Sequence, residues 1–194
     1  MKNKHNQYPL ILRGEDFINA QKIIDRLYEI PRRGWADRNV ENPETVGEHT
    51  DEVVMLSEKL FNIYRLSKML KIHDWAESDI KVGDIRTDTF CPDNHRWTKQ
   101  EKYIAELEAM KNICATLKSS GNGILQLWIE FEEQKTRRAK IARQIDRLQA
   151  IMKAIEYQRE GQPVIAQEFI DYYGKEITQT TLKQILEKCI SSLK

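Results

Sequence analysis

Apolar residues recur along this chain with a helical period from near its start to near its end. Over residues 15–30 they fall at Phe17, Ile18, Ile24, Leu27 and Ile30, with Asp16 at the entry and Pro31 as the stop. A turn at 31–35 and a polar loop at 36–43 follow. Residues 44–65 carry Val46, Val53, Val54, Leu56, Leu60 and Phe61 at helical spacing, and the next helix is expected over 66–80, ending before Gly83. The stretch 84–97 reads as a loop long enough to be functional. Helices are then predicted over 98–117, opened by a Thr98/Glu101 capping box, over 124–133, and over 136–157 with Ile141, Ile145, Leu148, Ile151, Met152 and Ile155 on one stripe. Gly161 and Pro163 break the pattern before two amphipathic helices at 164–173 and 178–193. No segment alternates with period two for long, so the expected class is all-α.

Composition narrows the functional classes. At 194 residues and 22.9 kDa the expectation is one domain over 1–194. Thirty-one Lys and Arg against 30 Asp and Glu leave a formal charge of +1, without the basic field of a nucleic-acid binder, so an anionic partner should be small and met locally. Cys91, Cys114 and Cys189 are scattered, with no CxxC pair, which fits a reducing compartment. No apolar run approaches about 20 residues and no apolar segment follows the N-terminus, so the expected location is cytoplasmic, without membrane contact.

The chemistry concentrates at His73, Asp74 and Glu77, within the helix expected at 66–80. An imidazole and a carboxylate at the end of an apolar run are costly to bury unless something compensates them, and a divalent metal compensates both. Glu77, at i+4 from His73 and i+3 from Asp74, projects over the same face and is left for a reacting water. An isolated His-Asp pair is usually a core histidine beside a surface acid, so partners are required. His49 lies one helix upstream and Asp146 on an apolar face downstream. Each alone reads as ordinary structure, but together they make a mixed nitrogen and oxygen site for a divalent transition metal.

These motifs resemble the HD-domain metal-dependent phosphohydrolases, and within them the 5′-deoxynucleotidase group. The resemblance runs from Ile30, Pro31, Arg32, Arg33, Gly34 and Trp35 through Glu48-His49 and His73-Asp74 to Gly83-Asp84. It continues at Lys99 to Lys102 and at Gln144 to Asp146, covering about residues 10–160. It implies His49, His73, Asp74 and Asp146 as ligands of Mn²⁺ or Co²⁺, with Fe²⁺, Ni²⁺ or Zn²⁺ as further candidates. It makes Glu77 the acid that works on the attacking water and Asp84 a second acid near the sugar. Arg33 and Trp35 fall in the segment that closes over the nucleotide, while Lys99 and Lys102 match the family's Lys/Glu helix. The substrates implied are (deoxy)ribonucleoside 5′-monophosphates. For Trp35, packing in the core is an equal reading. Glu48 reads as structural.

One departure bears on Asp84. Residues 78–82 look two longer than in typical members, which turns a helix by about 200°, so either the extra residues loop out or Asp79 takes the position. The alternatives to a nucleotidase are another HD-type hydrolase, acting on a phosphodiester or nucleoside triphosphate, and a non-catalytic helical binding protein that keeps the core. Retention of Glu77 and of cations near the phosphate favours the enzyme. The resemblance also implies a homodimer, and the apolar content of 163–193 suggests a face for it.

Overall fold

The computed structural model describes residues 12–87 and 97–193; His5, Cys91, His95 and most of the loop predicted at 84–97 lie outside them. The described residues form nine α-helices: α1 (Gly14–Leu27), α2 (Arg33–Ala36), α3 (Val46–Leu60), α4 (Tyr64–Ile72), α5 (Lys99–Ala115), α6 (Gly121–Glu133), α7 (Arg137–Arg159), α8 (Ala166–Tyr173) and α9 (Thr180–Ser191). Two 3₁₀ turns, Trp75–Ser78 and Gly174–Glu176, complete them, and the extended pairing among the described residues is a bridge between Pro31 and Thr45.

Local chemistry explains several boundaries. Thr45 accepts from the Glu48 N–H while Glu48 Oε2 accepts from the Thr45 N–H, so Glu48 caps the helix that carries His49. Thr98 and Glu101 do the same for α5, as their spacing predicts. Two glycines permit close approaches. A Cβ at Gly47 would meet the Tyr28 ring at 2.6 Å, and one at Gly121 would lie 2.0 Å from the Cys114 carbonyl oxygen. Gly121 thus opens α6 where the sequence suggested a break, because its missing side chain lets the helix start against the end of α5.

α7 is the axis of the packing and touches α3, α4, α6, α8 and α9. Its Ile145, Leu148, Ile151 and Ile155 are buried, while Ile141 and Met152 are partly so. One apolar cluster runs from Ala20 in α1 to Leu186 in α9. Val164, Phe169, Ile170, Ile177, Leu182 and Leu186 are buried in this cluster, so that part of the apolar content of 163–193 completes the core, and Ile165 is left 59% exposed. No described helix is long and apolar enough to cross a membrane.

Candidate active site

The helix expected over 66–80 stops at Ile72, which corrects the setting of the central pair. His73 is the C-cap, Asp74 has φ −102° and ψ 14°, and Trp75–Ser78 is a 3₁₀ turn. Two hydrogen bonds account for the break. The His73 carbonyl, which in a continued helix would accept the Glu77 N–H, accepts the Trp128 indole N–H at 3.0 Å instead. The Glu77 N–H goes to the Asp74 carbonyl at 3.0 Å. The turn swings Asp74 back over its neighbour, so that Oδ2 comes within 3.1 Å of His73 Nε2 and 3.7 Å of His49 Nε2. A straight helix would have kept the pair about 100° apart.

Four side chains from three parts of the chain therefore converge. His49, from α3, is fully buried, and its Nε2 lies 3.2 Å from Asp146 Oδ1 of α7. Ligand atoms of His49, His73 and Asp146 all lie within 4.8 Å of one another. Both imidazoles are oriented through the far nitrogen. His73 Nδ1 is 2.6 Å from the Leu70 carbonyl oxygen, and His49 Nδ1 is 2.7 Å from Gln149 Oε1. An oxygen acceptor at Nδ1 places the proton there and leaves the Nε2 lone pair toward the cluster. Both Nε2 atoms are buried without a hydrogen-bond partner, as is Glu77 Oε2. Orphaned buried lone-pair atoms of this kind, beside two carboxylates, fit a divalent cation.

The electrostatics agree. Burial alone would raise the carboxyls of Asp74 and Asp146, but positive charge facing them, from the histidines when protonated and from Arg32 beside Asp74 and Arg143 beside Asp146, holds both well below the usual range. Glu77 is pushed well above it by burial and by Asp74 and Asp84. Lys102 stays charged despite burial because Glu106, Glu77 and Asp84 surround it. Burial pushes Glu106 up to about 7.

A cavity of about 560 Å³ opens beside the cluster. His73, Asp74, Glu77, Asp84 and Asp146 line it, with Lys102 and the exposed Lys99 from α5. Trp35 also reaches the wall, yet it is 2% exposed, stacks on Phe169 at 4.7 Å and meets Tyr157 edge-on, so its indole is a core group at the cavity margin. Arg33 is displaced from its expected place. Its guanidinium lies 3.6 Å from Asp37 and is absent from the cavity wall, whereas Arg32 stands 3.4 Å from Asp74 Oδ2 and 4.0 Å from Asp84 Oδ2. The cause is the start of α2: Arg33 is its first residue, and its N–H, at 2.8 Å, donates to Asp84 Oδ2, so the backbone and not the side chain meets the site. Between Glu77 and Asp84 the chain turns outward. Asp79 accepts the Lys81 N–H at 2.8 Å in a local turn, Ile80 is 83% exposed, Gly83 takes φ +59°, and Asp84 faces the cavity.

Part of the cavity wall is aromatic and was not foreseen. Phe169, Tyr172 and Tyr173 of α8 line it beside Ala150 of α7. Arg38 covers Phe169 at 4.8 Å and pairs with Glu168 at 3.3 Å. The clustering of Phe169, Tyr172 and Tyr173 in one short helix was the signal available in the sequence.

An all-helical bundle with a buried His, His, Asp cluster at its centre defines a class of metal-site protein, and the chain belongs to the HD-domain family. The HD-domain family model matches residues 24–186. The chain is 34% identical to 5′-deoxynucleotidase HDDC2 of Danio rerio over 80% of this chain and 76% of that protein. It is 30% identical to 5′-deoxynucleotidase HDDC2 of Mus musculus over 90% and 87% of the two chains. Among solved structures, a conserved hypothetical protein from Pyrococcus furiosus superposes with TM-score 0.66 at 24% identity, covering 90% of this chain and 99% of its own. A predicted metal-dependent phosphohydrolase from Magnetospirillum magnetotacticum gives TM-score 0.66 at 21% identity, covering 92% of each chain. These two likenesses concern the fold.

Proposed function

We propose that this protein is a metal-dependent 5′-nucleotidase that hydrolyses (deoxy)ribonucleoside 5′-monophosphates to nucleoside and phosphate. The observation that carries the reading is the convergence of His49, His73, Asp74 and Asp146 beside an unpartnered Glu77 Oε2, in a cavity that also presents Arg32 and Lys102. The 5′-deoxynucleotidase relatives support the substrate class.

A divalent ion held by these four residues, Mn²⁺ or Co²⁺ in our reading, would supply Lewis-acid polarisation and a water of lowered pKa. The chain's own groups do the rest. Glu77, whose Oε1 lies 3.9 Å from Lys102 Nζ, accepts in its ionised form a proton from the attacking water. Arg32 and Lys102 offset the phosphate charge that the acidic cluster would otherwise repel. Water attacks phosphorus as the bond to the 5′ oxygen breaks, the proton taken up by Glu77 balances the one the departing 5′ oxygen gains, and Asp84, which lines the cavity, is assigned to the sugar side. The aromatic wall formed by Tyr172 and Tyr173 offers ring faces to the base.

Phosphate release from a panel of deoxy- and ribonucleoside monophosphates, each with Mn²⁺, Co²⁺, Mg²⁺ or chelator, tests the reading. Metal-dependent release is the expected result. Release that persists in chelator, or none with any monophosphate, would overturn it.

A further inference from the structure

Gln149 lies one turn after Asp146 on α7 and is 1% exposed. Its Oε1 is 2.7 Å from His49 Nδ1, and its amide nitrogen donates both hydrogens to carboxylates, Glu44 Oε2 at 2.9 Å and Glu52 Oε2 at 2.8 Å. That environment dictates the amide's orientation. Reversed, it would aim its donors at the protonated His49 Nδ1 and its oxygen at two acids. Glu44 is itself fixed, since Oε1 accepts the Trp35 indole N–H at 2.8 Å and its backbone N–H donates to the Tyr157 hydroxyl at 2.7 Å. Glu52 is anchored by Lys153 at 2.8 Å.

The two histidines of the cluster thus obtain the same orientation by different means. His73 leans on a backbone carbonyl, which no substitution removes. His49 depends on a side chain. From this asymmetry we infer that Gln149 is a positioning residue: held by Glu44 and Glu52, it keeps the proton of His49 on Nδ1 and so presents Nε2 as a metal-binding atom. Without that acceptor, the fully buried His49 relieves an unpaired Nδ1–H most readily by moving its proton to Nε2, where it faces Asp146 Oδ1 at 3.2 Å. The ring in that state cannot bind a cation. The inference rests on the metal reading of the site.

The test is Mn²⁺ titration calorimetry on metal-stripped protein, with circular dichroism as a check of folding. Gln149→Met keeps the side-chain length and removes the acceptor. It should weaken Mn²⁺ binding by about 10–100-fold, the usual effect of losing such a support. The exchange of Gln149→Glu with both Glu44→Gln and Glu52→Gln should restore binding, because the carboxylate at 149 then accepts from His49 and from the amides at 44 and 52, whose oxygens still accept from Trp35 and Lys153. Gln149→Glu alone, facing two acids, should bind more weakly than the triple exchange. Wild-type affinity in folded Gln149→Met overturns the assignment; where that variant does not fold, a folded triple exchange that has lost Mn²⁺ overturns it and one that binds supports it. A wild type that takes up no Mn²⁺ defeats the reading of the site as well.

Discussion

Lys102 Nζ stands 3.9 Å from Glu77 Oε1, while Oε2 of the same carboxylate is buried without a hydrogen-bond partner. One oxygen is oriented by a cation and the other is left open. Glu77→Ala should therefore keep the metal and lose about 10²–10⁴-fold in turnover, the range for removing a general acid or base. Metal content by elemental analysis, measured beside kcat, checks it. An unchanged rate in metal-loaded variant would refute the role.

Because His49, His73 and Asp146 tie α3, the end of α4 and α7 together, metal binding should stabilise the fold. At a metal concentration 100 times Kd the gain is about 2.7 kcal/mol. Chelator should thus lower the Tm of the wild type and leave that of His49→Ala or Asp146→Ala unmoved, as read by calorimetric melting.

Arg32 and Arg33 can be told apart by their substitutions. Arg32→Leu removes the guanidinium that faces Asp74 and Asp84, and kcat/KM should fall by about 10–100-fold, the equivalent of one charge-assisted contact. Arg33→Leu leaves the backbone N–H to Asp84 in place and should change kcat/KM little. Equal losses in steady-state assays would contradict the geometry.

Asp16 supplies a pH dependence of stability away from the site. Its carboxylate, 3% exposed, accepts from the Ser119 hydroxyl and from the N–H groups of Lys118, Ser119 and Ser120, joining α1 to the loop before α6. Those bonds hold its pKa down to about 2, against 3.8 for the free group. A lowered native pKa means that the ionised form stabilises the fold above about pH 3.8 and that this contribution is lost as pH falls through 2. Asp16→Ala should melt below wild type at pH 7, and the gap should close between pH 4 and 2.

Tyr172 and Tyr173 should govern the nucleoside more than the phosphate. Tyr173→Ala is expected to raise KM for nucleoside monophosphates about 5–100-fold, from the worth of one base–aromatic contact, with kcat little changed. Deoxyribose 5-phosphate, which has no base, should be turned over equally by variant and wild type. A matching loss on that sugar phosphate would move these residues out of the base's neighbourhood.

Most helical spans and the candidate ligand set were legible in the sequence, because both depend on short-range pattern. A period of 3.6 in Ile145, Leu148, Ile151 and Ile155 marks a buried face wherever the helix ends up, and the Thr98/Glu101 box acts within one turn. His49, His73, Asp74 and Asp146 stood out because such groups are rarely buried without a counterpart. How they meet depends on contacts between distant helices. Helix α4 breaks after Ile72 because the indole of Trp128, 55 residues downstream, takes the His73 carbonyl. Which of two adjacent arginines enters the cavity depended on where α2 begins, and Asp84 rather than Asp79 faces it because the intervening turn loops outward. Gln149 carries no signal in a linear reading, since a lone glutamine on a helix resembles any solvated polar residue. Its contacts with Glu44, Glu52 and His49 span about a hundred positions, and a pairing over that distance is set by how the helices pack.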